Sequence, residues 1–215
     1  VLYAYNNQGN KILAQPHKKA ICPSCNNKLI SKCGEINIWH WSHKHNADCD
    51  TWSEGESKWH LNWKSFVKKR FCEVVIGNHR ADIVHPTWII ELQKSHLSSI
   101  DICERQKFYK NMIWIVDGQK FSKNFHLVVK DLDKNIFKFK WKWARKSYYY
   151  FNNYLFIHLN HRKIFHIKKI SRNCMYGWGK MYHISDFINI YMKPILKKDY
   201  KKYLTIFEDE GDSYE

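Results

Sequence analysis

The chain has 215 residues, 44% of them hydrophobic, and a formal charge of +16, enough to bury a core as one large domain or two small ones. Charge of that sign favours polyanions, either nucleic acid or an anionic membrane face, and twenty Lys/Arg against nine acids lie from Gln119 onward. No run approaches the roughly twenty apolar residues of a membrane-spanning helix and no charged, apolar, small-residue leader opens the chain, so the expectation is an intracellular protein, neither secreted nor transmembrane. Seven cysteines, an odd number with Cys22 and Cys25 in a C-x-x-C, argue for a reduced compartment and metal binding over a disulfide scaffold.

Residues 2–14, "LYAYNNQGNKILA", predict two short strands around an Asn/Gly-rich turn. "CPSC" then opens a loop-rich stretch to about Asp50, with strand-like pieces at "KLISK" and "INIWHW". Two closely spaced ligand pairs, Cys22-x2-Cys25 and His40-x2-His43, are what a closed tetrahedral Zn²⁺ site needs, and a closed site is structural. Cys33, His45 and Cys49 are rival ligands, Cys49 as the strongest substitute for one histidine.

Ser53 with Glu56 has capping-box spacing, and Trp59, Trp63, Phe66 and Val67 recur with helical periodicity, predicting a helix over 54–70. Glu56, His60 and Lys64, at i, i+4 and i+8, form a polar stripe beside that apolar face. Three β-type runs follow, "CEVVIG" (72–77), "RADIV" (80–84) and "TWIIELQ" (87–93), punctuated by Gly77-Asn78 and Pro86. Ser98 with Asp101 opens a second helix to about Tyr109, and "MIWIVD" (112–117) reads as a strand covered on both faces. Helix, three strands, helix, strand implies a mixed α/β sheet.

Side chains alternate across a strand, so Glu91 and Gln93 share one face while Lys94 goes with Trp88, Ile90 and Leu92. If the 80–84 and 87–93 strands pair through the turn at 85–86, Asp82 and Glu91 meet on one face. Two partly buried carboxylates repel, and Mg²⁺ (or Mn²⁺) resolves that conflict with one or two carboxylates and several waters. Gln93 is then placed to orient an attacking water. The plain alternative is a salt-bridged or solvated pair of strand-end acids.

Beyond 120 the chain is basic and aromatic. The alternation in "FKFKWKW" puts the rings on one strand face and the lysines on the other, the pattern of a half-buried strand; its outward lysines, Lys140 and Lys142 among them, are candidates for backbone contact, with base stacking by the rings as the alternative.

"RADIV…WIIELQKSHLSSIDICERQKFYKNMIWIV" resembles the nuclease-like domain of the competence protein CoiA family, with an A-D-I strand, an E-L-Q-x-S strand end, an E-R helix with a Tyr, and an apolar strand containing I-W. The resemblance extends over about 1–118, through the hairpin, C-P-x-C, H-(aromatic)-x-H and E-x-x-x-H-x-x-x-K. It implies an α+β, restriction-endonuclease-like core of the PD-(D/E)xK superfamily at 51–120, after a zinc-binding subdomain at 1–50 and before a basic region at 121–215. It also implies a metal-dependent deoxyribonuclease with Asp82 and Glu91 on the catalytic ion, Gln93 beside it, and Glu56 either assisting the metal or serving only as a helix cap. Most of the superfamily has Lys where Gln93 stands. Lys94, on the opposite face, does not replace it, which leaves the positive charge near the nucleophile unassigned. His60 and Lys64 are candidate substrate contacts or plain surface, and Arg105 and Tyr109, on one face of the second helix, either touch phosphate or simply pack. The partner expected is DNA, and the superfamily resemblance allows a homodimer. The rival function is a catalytically silent nucleic-acid-binding accessory on the same scaffold.

Overall fold

The computed structural model describes residues 1–36, 38–44, 49–52, 55–151 and 154–207. They form two compact units, 1–84 and 85–215, and the architecture is α+β.

The first unit opens with strands β1 (Tyr3–Tyr5) and β2 (Lys11–Leu13), paired antiparallel around a turn closed by Asn6, whose carbonyl takes the Gly9 N–H and whose own N–H reaches Asn10 O. Gly9 has φ +76°, a conformation glycine adopts without steric cost. Strands β3 (Lys19–Ile21), β4 (Lys28–Lys32) and β5 (His40–His43) complete a five-stranded sheet in the order β2-β1-β3-β4-β5. Its buried cluster is small: Ala4, Ala14, Ala20, Cys22, Leu29 and Trp41. Three alanines and a cysteine bury little apolar area, so this sheet lacks the core that ordinarily stabilises an isolated domain.

Helix α1 (Lys58–Ser65) is shorter than the predicted 54–70. Its N-cap is Ser57, whose side chain accepts from the His60 N–H, while Ser53 lies outside the described residues. Trp59, Trp63, Phe66 and Val67 are all buried, as their spacing requires. The chain leaves the helix at Phe66, makes a short 3₁₀ turn over Lys69–Phe71, and enters the hairpin of β6 (Cys72–Ile76) and β7 (His79–Val84).

The second unit holds β8 (Ile89–Gln93), helix α2 (Ser99–Tyr109) and β9 (Met112–Asp117). Ser98 and Asp101 make both arms of the predicted capping box. Strands β10 (Phe125–Asp131), β11 (Ile136–Trp141), β12 (Tyr154–His158), β13 (Lys163–Ile170) and β14 (Tyr176–His183) follow, then helix α3 (Ile184–Tyr191). Within this unit the strand order is β10-β11-β14-β13-β12-β9-β8. β8, β9 and β12 run parallel and the rest antiparallel, a mixed sheet. β9 lies between two parallel neighbours with every residue buried, which explains its continuous apolar run. Because β12 pairs with β9, strands β10–β14 of the basic C-terminal region belong to the same sheet as β8.

Candidate functional site

The metal-ligating cluster is built from two local devices. Cys22 and Cys25 sit in the β3–β4 loop, folded back by Cys22 N–H to Asn27 O at 2.9 Å and Asn26 N–H to Cys22 O at 3.0 Å, with Asn26 at φ +58°. His43 ends β5, and Cys49 arrives from the segment after it. The ligand atoms of Cys22, Cys25, His43 and Cys49 all lie within 4.8 Å of one another, including Cys22 Sγ to Cys49 Sγ at 3.7 Å and Cys25 Sγ to His43 Nε2 at 3.2 Å. A tetrahedral ion with metal–sulfur bonds of about 2.3 Å sets its ligands roughly 3.8 Å apart. This donor set can therefore hold a zinc-type metal. Burial pushes the Cys49 thiol up to about 11, so without a cation that sulfur keeps its proton, and metal binding there releases one.

His40 is not in this cluster, contrary to the sequence expectation. Residues three apart on a strand face opposite sides, so with His43 turned inward beside Trp41, His40 turns away. Its Nδ1 meets Ile38 O at 2.8 Å, and it lines a surface cleft with Pro16, His17 and Cys33. Cys49 takes the fourth place. His45 lies outside the described residues.

A second cluster in the first unit centres on Lys64, a residue expected at a substrate-facing surface. Its ammonium is instead buried against three carboxylates: Glu56 Oε1 at 2.6 Å, Asp82 Oδ1 at 2.9 Å and Glu73 Oε1 at 3.1 Å. Glu73, which the sequence reading did not single out, stands opposite Asp82 in the β6–β7 register between the pairs Cys72–Ile83 and Val74–Ala81. Like charges facing across a ladder destabilise it, and Lys64 neutralises that repulsion. Glu73 has φ +47°, a strained conformation for a side-chain-bearing residue, and its carboxylate also accepts from the Leu2 and Tyr3 N–H groups at 3.0 and 3.1 Å. Burial acts against its charge, but Lys64 and Arg80 outweigh it and hold Glu73 below the usual carboxylate range. Glu56 goes the other way. Burial, opposed by Lys64 and reinforced by Glu73 and Asp82, raises it to about 8. Lys64 stays charged well above its ordinary range because the three acids overcome its desolvation. Lys64, Arg80 and the N-terminal ammonium all act on this group of acids, in which Glu56 is the carboxyl that most readily holds a proton.

His60 is buried, with Nδ1 2.7 Å from Ser57 Oγ. It secures the helix start and does not form an open contact face. Glu56 lies before the helix and so is not part of a helical stripe with His60 and Lys64 as expected, yet its carboxylate still reaches Lys64.

In the second unit β8 is buried along its whole length, Glu91 and Gln93 included. Arg105 Nη1 of α2 lies 3.5 Å from Glu91 Oε2, a role for Arg105 inside the fold. Tyr109 is buried on the same helix. Gln93 Nε2 donates to Ser95 O at 2.9 Å and Ser95 Oγ at 3.1 Å, which fixes the orientation of the amide. Lys94 turns to the opposite side and meets Asp117 at 3.5 Å, as strand alternation requires.

Residues 5–51 match the N-terminal domain of competence protein CoiA, and residues 74–191 match the CoiA nuclease-like domain. The chain belongs to the CoiA family. The nuclease-like match extends past the 118 at which the motif resemblance ends, through β10–β14 and α3, which agrees with a sheet that continues through that stretch. No curated protein and no solved structure matches the chain. For this CoiA-family chain, then, the nuclease-type fold and the Cys/His cluster are findings. No helix among its described residues is long and apolar enough to cross a membrane.

Proposed function

We propose that the chain is a metal-dependent nuclease that hydrolyses phosphodiester bonds in DNA, during DNA processing or recombination, with Zn²⁺ as a structural staple and Mg²⁺ (or Mn²⁺) as the catalytic ion. The observation that carries this reading is Asp82, held on a strand of the CoiA nuclease-like domain and clustered with Glu56 and Glu73 around Lys64. Such a group favours a hard divalent cation. Asp82 and Glu91 hold the ion, Gln93 positions the attacking water through an amide fixed by Ser95, and Glu56 assists by taking or releasing its proton. When bound, the ion lowers the pKa of a water and neutralises phosphate oxygens. Lys64, next to Asp82, supplies the positive charge that Gln93 does not. Three thiolates and an imidazole leave a tetrahedral zinc with no open position, so the zinc stabilises a sheet whose own core is small.

One observation favours the second reading, a catalytically silent nucleic-acid-binding scaffold: Asp82 and Glu91 are already paired, with Lys64 and Arg105. The two readings separate when labelled single-stranded, duplex and branched DNA are incubated with the zinc-loaded protein, first without Mg²⁺ and then with it. Withholding Mg²⁺ is the right control, because a chelator also strips zinc. Cleavage that starts only on Mg²⁺ or Mn²⁺ addition supports the nuclease; intact DNA under every condition, with binding retained, supports the scaffold.

A further inference from the structure

Strand β14 inverts the usual logic of a half-buried strand. Its sequence begins Tyr176-Gly177-Trp178-Gly179, and the glycines face the core while the rings face solvent. The inward positions have no room for a side chain: a Cβ on Gly177 would lie 2.5 Å from Phe139 Cζ, and one on Gly179 would lie 2.7 Å from Phe165 Cζ. The rings of β11 and β13 fill that space, with Phe125, Phe139 and Phe165 in mutual contact. Phe139 and Trp141 of "FKFKWKW" are therefore core, while Phe137 is half-buried and Trp143, past the end of the strand, is exposed. Tyr176 and Trp178, which core packing does not require, stand on the other face of the sheet, 49% and 37% exposed.

The register shows what surrounds them. Lys138 pairs with Trp178 and Lys140 with Tyr176 across β11–β14, His126 pairs with Lys140 across β10–β11, and Lys169 pairs with Trp178 from the β13 side. Directly opposed residues share a face, and all four of these flanking residues are exposed. Helix α3 covers the β12–β13 end of this same face, where Phe187 and Tyr191 pack on Phe156 and Tyr191 on Tyr182, and it leaves the β10-β11-β14 end open. The result is two rings in line, spaced about 6.6 Å along the strand, with cationic side chains on both sides.

We propose that this face is a binding platform for single-stranded nucleic acid, in which bases stack on Tyr176 and Trp178 while Lys138, Lys140 and Lys169 follow the phosphates. Charge complementarity selects a polyanion, and the exposed rings select one whose bases are unpaired, because a duplex keeps its base faces stacked inside. The platform concerns binding alone and does not depend on whether the chain cuts.

The test measures binding of a fluorescein-labelled dT20 and of a duplex of equal length to the full zinc-loaded chain, without Mg²⁺ or Mn²⁺. Trp178→Ala is expected to weaken dT20 binding by about 5- to 100-fold, Trp178→Phe to keep most of it, and neither to change the melting temperature materially, since the ring is outside the core. Lys138→Ala with Lys140→Ala is expected to reduce the slope of log K against log salt by about 1.4 for dT20. The proposal is overturned if Trp178→Ala binds dT20 like the wild type, if it weakens duplex and single strand equally, or if it alters only the oligomeric state on size exclusion, which would make the face a contact between copies.

Discussion

At the scale of single residues, the zinc ligands show how far parity arguments reach. "INIWHW" reads as a strand, and a strand cannot aim His40 and His43 at one ion; the H-x2-H spacing that suits a turn or helix is misleading there. That parity was available in the sequence and excludes one histidine. Identifying Cys49 as the replacement needed the path of the chain after β5, which no local pattern specifies. Cys49→Ser is expected to cost most of the bound zinc and to lower the melting temperature, whereas His40→Ala keeps one zinc per chain, measured by metal analysis of the purified proteins. Equal zinc content in the two variants would return His40 to the site. Glu73 was equally hidden: one acid among the apolar residues of "CEVVIG" reads as an exposed strand residue, and its burial follows from the Lys64 ammonium and the β1 amides it satisfies.

Among elements, periodicity performed well where burial is uniform and poorly where charge decides. β4, β6–β9 and α2 lie where alternation, turn residues and the Ser98–Asp101 box put them. Helix α1 starts later than the Ser53–Glu56 spacing predicts because its first turn is secured by Ser57, whose hydroxyl meets both the backbone and the ring of His60. Lys64, placed by its spacing in a polar stripe of candidate substrate contacts, instead ties the helix to the β6–β7 hairpin through Glu73 and Asp82. Removing one partner of a buried ionic group leaves the others uncompensated, at a cost of about 3–5 kcal/mol. Lys64→Met is therefore expected to lose roughly that much stability in urea unfolding, with Glu73→Gln in the same background recovering part of it. A Lys64→Met protein as stable as the wild type would mean that the carboxylates are adequately hydrated and the cluster is not structural.

Over the whole molecule, two features link the sheet to solution behaviour. Burial holds His158 and His166 neutral, with values near 3 against the usual 6.5. The unfolded chain takes up these protons near pH 6.5 and the folded chain only near 3, so between those values stability falls as pH drops, by up to about 1.4 kcal/mol per pH unit for each fully buried ring. Glu56, raised to about 8, binds its proton in the folded state over the same range and offsets much of this loss, so the rings are read by comparison. Between pH 7.0 and 5.5 in urea unfolding His158→Gln is expected to lose less stability, or gain more, than the wild type, and an identical change in the two proteins would remove His158 from the account. The second feature is the acidic centre itself. On the proposed nuclease reading, a divalent ion competes with Lys64 for Asp82 and with Arg105 for Glu91. The most direct test is Mg²⁺-dependent cleavage of labelled DNA by wild type and Asp82→Ala, with binding measured on the same samples. The account predicts cleavage by the wild type, none by Asp82→Ala, and nearly equal binding by both; equal cleavage by the two proteins, or none by either, would contradict it.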